Sequence, residues 1–216
     1  MAEIIPAIIG QNFAEVENKI HQIERSVDWV HLDIMDGTMT DETSWQSPED
    51  LKFLDGRIKV EAHLMIRSPE KVIEDWAVAA DRILVHVEAA EHLTEILDFF
   101  TGRAAVGGLA LNLATPISAV ESWLDKTKLV QLMAIAEIGE QGHPFDLRVI
   151  EKIKHLRALH PDVTIQVDGG INLETARAAL AAGANNLVVG SAIWQSPDPV
   201  AALVKFKKLQ EASRSF

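Results

Sequence analysis

Two histidines and two aspartates stand where short apolar runs of this sequence give out. His31 and Asp33 lie two residues apart in one run, His63 ends a second, and Asp168 follows a third. Side chains of a strand alternate between its faces, so His31 and Asp33 point the same way. Two neutral imidazoles and two carboxylates suit a divalent transition metal, namely zinc, iron(II), manganese or cobalt, better than calcium. The residues do not select among these ions; zinc is the first expectation. A lone histidine at a strand end is more often a hydrogen-bonded structural group, but four such groups at the ends of strands in one fold are harder to explain that way. The carboxylates have a second use. If Asp33 and Asp168 flank a substrate, one can take a proton from a carbon beside a carbonyl while the other returns a proton to the opposite face, inverting that carbon.

The elements that must position these groups follow from hydrophobic period. Short β-rich runs cover 4–9, 29–34, 59–64, 82–87, 105–111, 129–135, 163–167 and 186–189. Helical patterns cover 13–23, 69–80, 93–100, 147–159, 173–182 and 199–209, with shorter connections near 48–54 and 117–124. Strict alternation predicts an α/β chain with a parallel sheet, and eight units favour closure into a TIM (β/α)₈ barrel over a doubly wound open sheet. The 216 residues read as one domain, 1–216. In a closed barrel the C-terminal strand ends share one mouth, which is where His31, Asp33, His63 and Asp168 would meet. Gly169 and Gly170 follow the seventh strand, and Gly190 and Ser191 follow the eighth. Loops at these places in barrels present backbone N–H groups to an anion, and glycine lets the anion come close. Asp36, out of register with Asp33, is expected in a turn.

Composition narrows the partners. With 20 basic and 32 acidic residues the net charge is -12, which disfavours nucleic acid and anionic membrane surfaces. No apolar run is long enough to span a bilayer, and the segment from Met1 to Pro6 lacks the regions of a signal peptide. Absence of cysteine removes thiolate chemistry and disulfides. The expected location is the cytoplasm. Trp45, Trp76 and Trp123 fit either contact surface of a homo-oligomer or packing of helices on the barrel.

With these residues in hand, the chain resembles the ribulose-phosphate 3-epimerase family nearly end to end. The likeness is carried by Pro6-Ala7-Ile8-Ile9, the run His31 to Gly37, Glu61-Ala62-His63-Leu64-Met65, Val85-His86-Val87-Glu88-Ala89, Ala110-Leu111-Asn112, Ala114-Thr115-Pro116, the run Val167 to Ile171, and the run Gly190 to Ile193. The resemblance implies metal ligands at His31, Asp33, His63 and Asp168, with Asp33 and Asp168 as the acid/base pair. It implies an apolar wall of Met35, Met65 and Met133 beside the reacting carbons, and interconversion of D-ribulose 5-phosphate and D-xylulose 5-phosphate. The partner would be a small sugar phosphate. Departures from the pattern concern recognition. After strand six the family's Pro-Gly-Phe-Gly-Gly-Gln stretch is replaced by Glu137-Ile138-Gly139-Glu140-Gln141-Gly142-His143, and Ala7 stands where a serine is usual. A carboxylate repels a phosphate dianion, so a different or unphosphorylated sugar remains an alternative, as does a non-catalytic metal-binding barrel. Decarboxylases that resemble these epimerases carry a lysine in an Asp-x-Lys-x-x-Asp run; His31 to Asp36 has none.

Overall fold

The structure is a computed structural model and describes residues 3–54 and 56–212, so Met1 and Ala2 of the N-terminal reading lie outside the described residues. Eight parallel strands close in chain order: β1 (Glu3–Ile8), β2 (Trp29–Met35), β3 (Lys59–Met65), β4 (Arg82–His86), β5 (Val106–Leu111), β6 (Leu129–Met133), β7 (Thr164–Asp168) and β8 (Asn186–Val189). The ring is completed by β1 and β8, paired from Glu3 with Asn186 to Pro6 with Val189. This is the TIM barrel expected from the alternation. Outside it lie α1 (Phe13–Ile23), α2 (Ile73–Ala79), α3 (Leu93–Phe100), α4 (Ser118–Glu121), α5 (Arg148–Leu159), α6 (Leu173–Ala182), α7 (Ser191–Trp194) and α8 (Pro199–Ala212). None of the described helices is long and apolar enough to cross a membrane.

Local chemistry sets several boundaries. The Asn12 side chain accepts from the Glu15 backbone N–H at the start of α1, and Asn172 forms a capping box with Thr175 at the start of α6. Gly183 ends α6 in the left-handed conformation, φ 111°. One continuous helix over 69–80 does not form. A three-residue 3₁₀ turn, Pro69–Lys71, precedes α2, because Ser68 enters it at φ 52° and Glu70 is drawn aside to accept the backbone N–H groups of Glu91 and His92. The segment near 48–54 is likewise a 3₁₀ helix, Pro48–Phe53, and 117–124 holds only the single turn α4.

Two different interiors result. Between barrel and helices lies an apolar shell that includes Leu32, Ile34, Val60, Leu64, Ile83, Val130, Val167 and Leu187 from the outward strand faces. Trp45 and Trp76 are buried there, edge to face at 5.9 Å, and Trp123 packs partly buried against it, so all three tryptophans serve packing. Inside the barrel, the layer beneath the mouth is polar: His31, Glu61, His63, Gln131, Gln166 and Asn186 are all buried. Such a layer is stable only if its members satisfy one another.

Glycine sets the spacing at β5. A Cβ on Gly107 would stand 2.2 Å from the Phe100 ring, so α3 rests directly on the strand backbone. Gly107→Ala is expected to cost about 1–3 kcal/mol through overpacking, read as a lower urea midpoint; an unchanged midpoint would show that Phe100 yields freely.

Candidate active site and metal centre

Strand alternation brings His31 and Asp33 inward on β2, His63 on β3 and Asp168 at the end of β7. One ligand atom from each of these four lies within 4.8 Å of the others. His31 Nε2 is 3.2 Å and His63 Nδ1 3.1 Å from the same atom, Asp33 Oδ1. Asp168 Oδ2 stands 3.9 Å from His31 Nε2 and 3.8 Å from His63 Nδ1. Residues separated by more than a hundred positions thus share one point at the mouth.

The polar layer below holds them. His31 Nδ1 is 2.6 Å from Glu61 Oε1, and the other Glu61 oxygen accepts from Arg82 Nη1 at 2.8 Å. The Gln131 amide donates to Asp168 Oδ2 at 3.2 Å, Gln166 donates to Gln131 Oε1 at 2.7 Å and to Glu61 Oε1 at 2.5 Å, and Asn186 donates to Gln166 at 3.2 Å. Sequence reasoning did not assign Glu61, Gln131, Gln166 or Asn186 to the site. Each is a polar residue on the inward face of its strand, and Glu61 and Gln166 stand two residues before His63 and Asp168, but only their partners on other strands give them a role.

The donor set fits a cation. Glu61 accepts a hydrogen bond from His31 Nδ1–H, so that in the neutral ring the Nε2 lone pair faces Asp33. Carboxylate oxygens and imidazole lone pairs then converge on a single point, an arrangement that needs positive charge between them. Without metal, a proton serves. Burial opposes charge on His31, but its hydrogen bonds to Asp33 and Glu61 prevail and hold its pKa well above the ordinary value. Burial and the His31 charge push His63 down. Burial would raise Asp33, yet the hydrogen bond from His31 and the positive charge on that ring hold it low. Asp168 goes the other way: burial and the neighbouring Asp33 charge push it up to about 7. Two carboxylates whose environments drive their pKa values apart are suited to act as base and acid.

Above the four groups a cavity opens to solvent. Asp33, Met65, Met133, Asp168, Gly169, Gly170, Gly190 and Ser191 all line it, as does Ala7. Met35 is buried in register with Met65 but is not part of the lining; its backbone is strapped to Ser44 instead. Gly170, at φ 64°, has no room for a side chain, because a Cβ would lie 2.4 Å from the Phe145 backbone nitrogen. The two glutamates of the altered loop separate. Glu137 is exposed and outside the lining, whereas Glu140 lines the cavity, 3.4 Å from His143 Nε2. Gln141, also in the lining, packs over Gly190. Asp36 makes a turn: its Oδ1 accepts from the Thr38 backbone N–H at 2.9 Å.

Comparison with known proteins gives the family. A model described as the Ribulose-phosphate 3 epimerase family matches residues 3–194. The chain belongs to the ribulose-phosphate 3-epimerase family. Its membership makes it an isomerase of the carbohydrate epimerase type. It is 32% identical over 216 residues to the ribulose-phosphate 3-epimerase of Bacillus subtilis, covering 96% of this chain and 99% of that one. It is 31% identical over 208 residues to the Schizosaccharomyces pombe enzyme of the same name, covering 92% and 90%. Among solved structures, 3-hexulose-6-phosphate synthase from Salmonella typhimurium is similar, with TM-score 0.74 and 14% identity over 98% of this chain and 99% of that one. That likeness carries the fold alone.

The Glu61–Arg82 pair under His31 tests how far the site depends on its support. Glu61→Leu strands the largely buried Arg82 guanidinium and is expected to cost about 3–5 kcal/mol, measured by denaturant unfolding of the metal-free protein; a loss below 1 kcal/mol would show that Arg82 finds water instead.

Proposed function

We propose that this protein is a metal-dependent 3-epimerase that interconverts D-ribulose 5-phosphate and D-xylulose 5-phosphate. The observation that carries the reading is the pairing of Asp33 and Asp168. They come from strands β2 and β7, share the point where His31 and His63 converge, and both line the cavity. Asp33, His31, His63 and Asp168 would hold one divalent ion, with zinc first among zinc, iron, manganese and cobalt. When bound, such an ion supplies positive charge that lowers the energy of the oxygens on which negative charge develops.

The chain's own residues perform the proton transfers. Asp33, ionised, takes the proton from C3 of the ketose, and the electrons of that C–H bond pass into a planar enediolate. Asp168, in its acid form, donates a proton to the opposite face of C3, forming the new C–H bond with inverted configuration. The roles exchange in the reverse direction, so no other reactant is consumed. Met65 and Met133 offer no acidic proton to the enediolate and keep water from its carbons. The backbone of Gly169, Gly170, Gly190 and Ser191 would receive the phosphate. Glu140 belongs to the loop that lines the cavity, its carboxylate 3.4 Å from His143 Nε2, and an unphosphorylated ketose is the second reading, since an acidic residue near the mouth disfavours a dianion.

The test is incorporation of solvent deuterium at C3 with zinc-loaded protein. Ribulose 5-phosphate is expected to exchange and epimerise, and Asp33→Asn and Asp168→Asn each to lower kcat by about 10²–10⁴. Exchange of D-ribulose alone would establish the second reading, and exchange unaffected by either substitution would overturn the two-carboxylate assignment.

Metal binding has its own signature. The raised His31 pKa favours its protonated form in the metal-free protein, and a ring that binds zinc through Nε2 must give up that proton. Apparent zinc affinity is therefore expected to rise with pH and to level off above the His31 pKa. Calorimetry at pH 7 in two buffers of different ionisation enthalpy should register net proton release, from His31 and from the fraction of Asp168 still in its acid form; no release would contradict the proposed ligation by these two residues.

A further inference from the structure

One fully buried titratable side chain beside the site has no part in the chemistry above. His86, the last residue of β4, is 0% exposed, and its Nε2 lies 2.8 Å from His63 Nε2. The two ring centroids are 4.9 Å apart and the planes only 25° from parallel. With the nitrogens at 2.8 Å, that separation has the rings meeting edge to edge, as a hydrogen bond requires. On its far side, His86 Nδ1 is 3.3 Å from Glu88 Oε2. Glu88 is itself anchored: Oε1 accepts the Asn112 backbone N–H at 2.8 Å and the Thr115 hydroxyl. Lys152 of α5 ties down the same turn through the carbonyls of Asn112 and Leu113, at 2.9 and 3.2 Å.

The direction of these hydrogen bonds follows from the inventory of donors. An ionised carboxylate only accepts, so His86 Nδ1 must carry the proton shared with Glu88. A neutral imidazole has one N–H, so His86 Nε2 is an acceptor, and the proton between the two rings belongs to His63 Nε2. The His63 Nδ1 lone pair and Asp33 Oδ1, 3.1 Å apart, would then both face a cation bound between them. His31, by contrast, gives its Nδ1 proton to Glu61 and faces the site through Nε2. The two imidazoles therefore present opposite nitrogens, and each has a separate buried acceptor.

We propose that Glu88 and His86 form a positioning relay that locks His63 in the tautomer whose Nδ1 lone pair points at the metal centre. The relay rests on the reading of His63 as a metal ligand and supplies what that reading needs, a ring with fixed orientation and a free lone pair. It also connects the centre to the turn after β5, because Glu88 accepts from Asn112 and Thr115. Neither His86 nor Glu88 lines the cavity, so both act through His63.

Nitrogen-15 NMR of histidine-labelled, zinc-loaded wild-type protein reads the tautomer directly, and His63 is expected to carry its proton on Nε2. Zinc affinity is then measured by chelator competition. His86→Phe, which removes the acceptor, is expected to mix the His63 tautomers and weaken zinc binding about 10- to 100-fold. His86→Gln, whose amide oxygen can accept the same proton, is expected to stay within a few-fold of wild type. Glu88→Ala is expected to behave like His86→Phe, with a circular dichroism melt confirming that it folds. A wild-type His63 protonated on Nδ1, or a folded His86→Phe variant with unchanged affinity, overturns the relay. Failure of the wild type to bind zinc overturns instead the metal reading beneath it, so the two failures are distinguishable.

Discussion

Four acceptor-rich side chains are forced together, away from most solvent, at the mouth of a closed barrel, and the rest of the structure answers to that constraint. Two carboxylates and two imidazoles within 4.8 Å of one another repel unless positive charge or shared protons lie between them. The barrel meets the demand from below with a buried polar layer in place of the branched apolar residues that usually fill this fold. Glu61, Gln131, Gln166 and Asn186 form a connected set that ends on His31 and Asp168. Each member is satisfied by the next, so the layer avoids the cost of orphaned buried groups.

Stability and function are divided between the two interiors. The apolar shell between strands and helices supplies the burial that keeps the barrel closed and carries no chemistry. The inner layer contributes orientation. Gln131 and Gln166 adjoin each other across β6 and β7, which fixes where Asp168 points, and Glu61 with Arg82 does the same for His31. Above this rigid base the recognition elements are loops. Gly170 lies against the Phe145 backbone and Gly190 under Gln141, so the end of the cavity distant from β2 is shaped by the loop after β6. On the proposed function, the groups for the chemistry and the loops for recognition reside in separate pieces of structure.

Much of this was legible in the residues. The helices 13–23, 93–100 and 173–182 and the strand 186–189 coincide with the observed elements, because there the hydrophobic period agrees with the caps and turns that bound it. The 69–80 segment failed because apolar period does not register a side chain such as Glu70 being recruited by the next loop. The short helix Ser191–Trp194 gave no periodic signal at four residues. At the site, His31, Asp33, His63 and Asp168 stood out by type and by their place at strand ends. Glu61, Gln131 and Gln166 did not, since one polar residue in an apolar run has no meaning until its partners on other strands are known.

The sequence by itself determined the alternation of strands and helices, the inward face shared by His31 and Asp33, and the residue types available at each strand end. These follow from local period and side-chain chemistry, which involve neighbours within a few positions. Only the tertiary structure decided that β8 returns to β1, that His86 meets His63, and that the loop after β6 reaches the cavity lined by Asp33 and Asp168. Each of these depends on the tilt and closure of the barrel and on how loops fold over its mouth, and distances between residues far apart in the chain are set there.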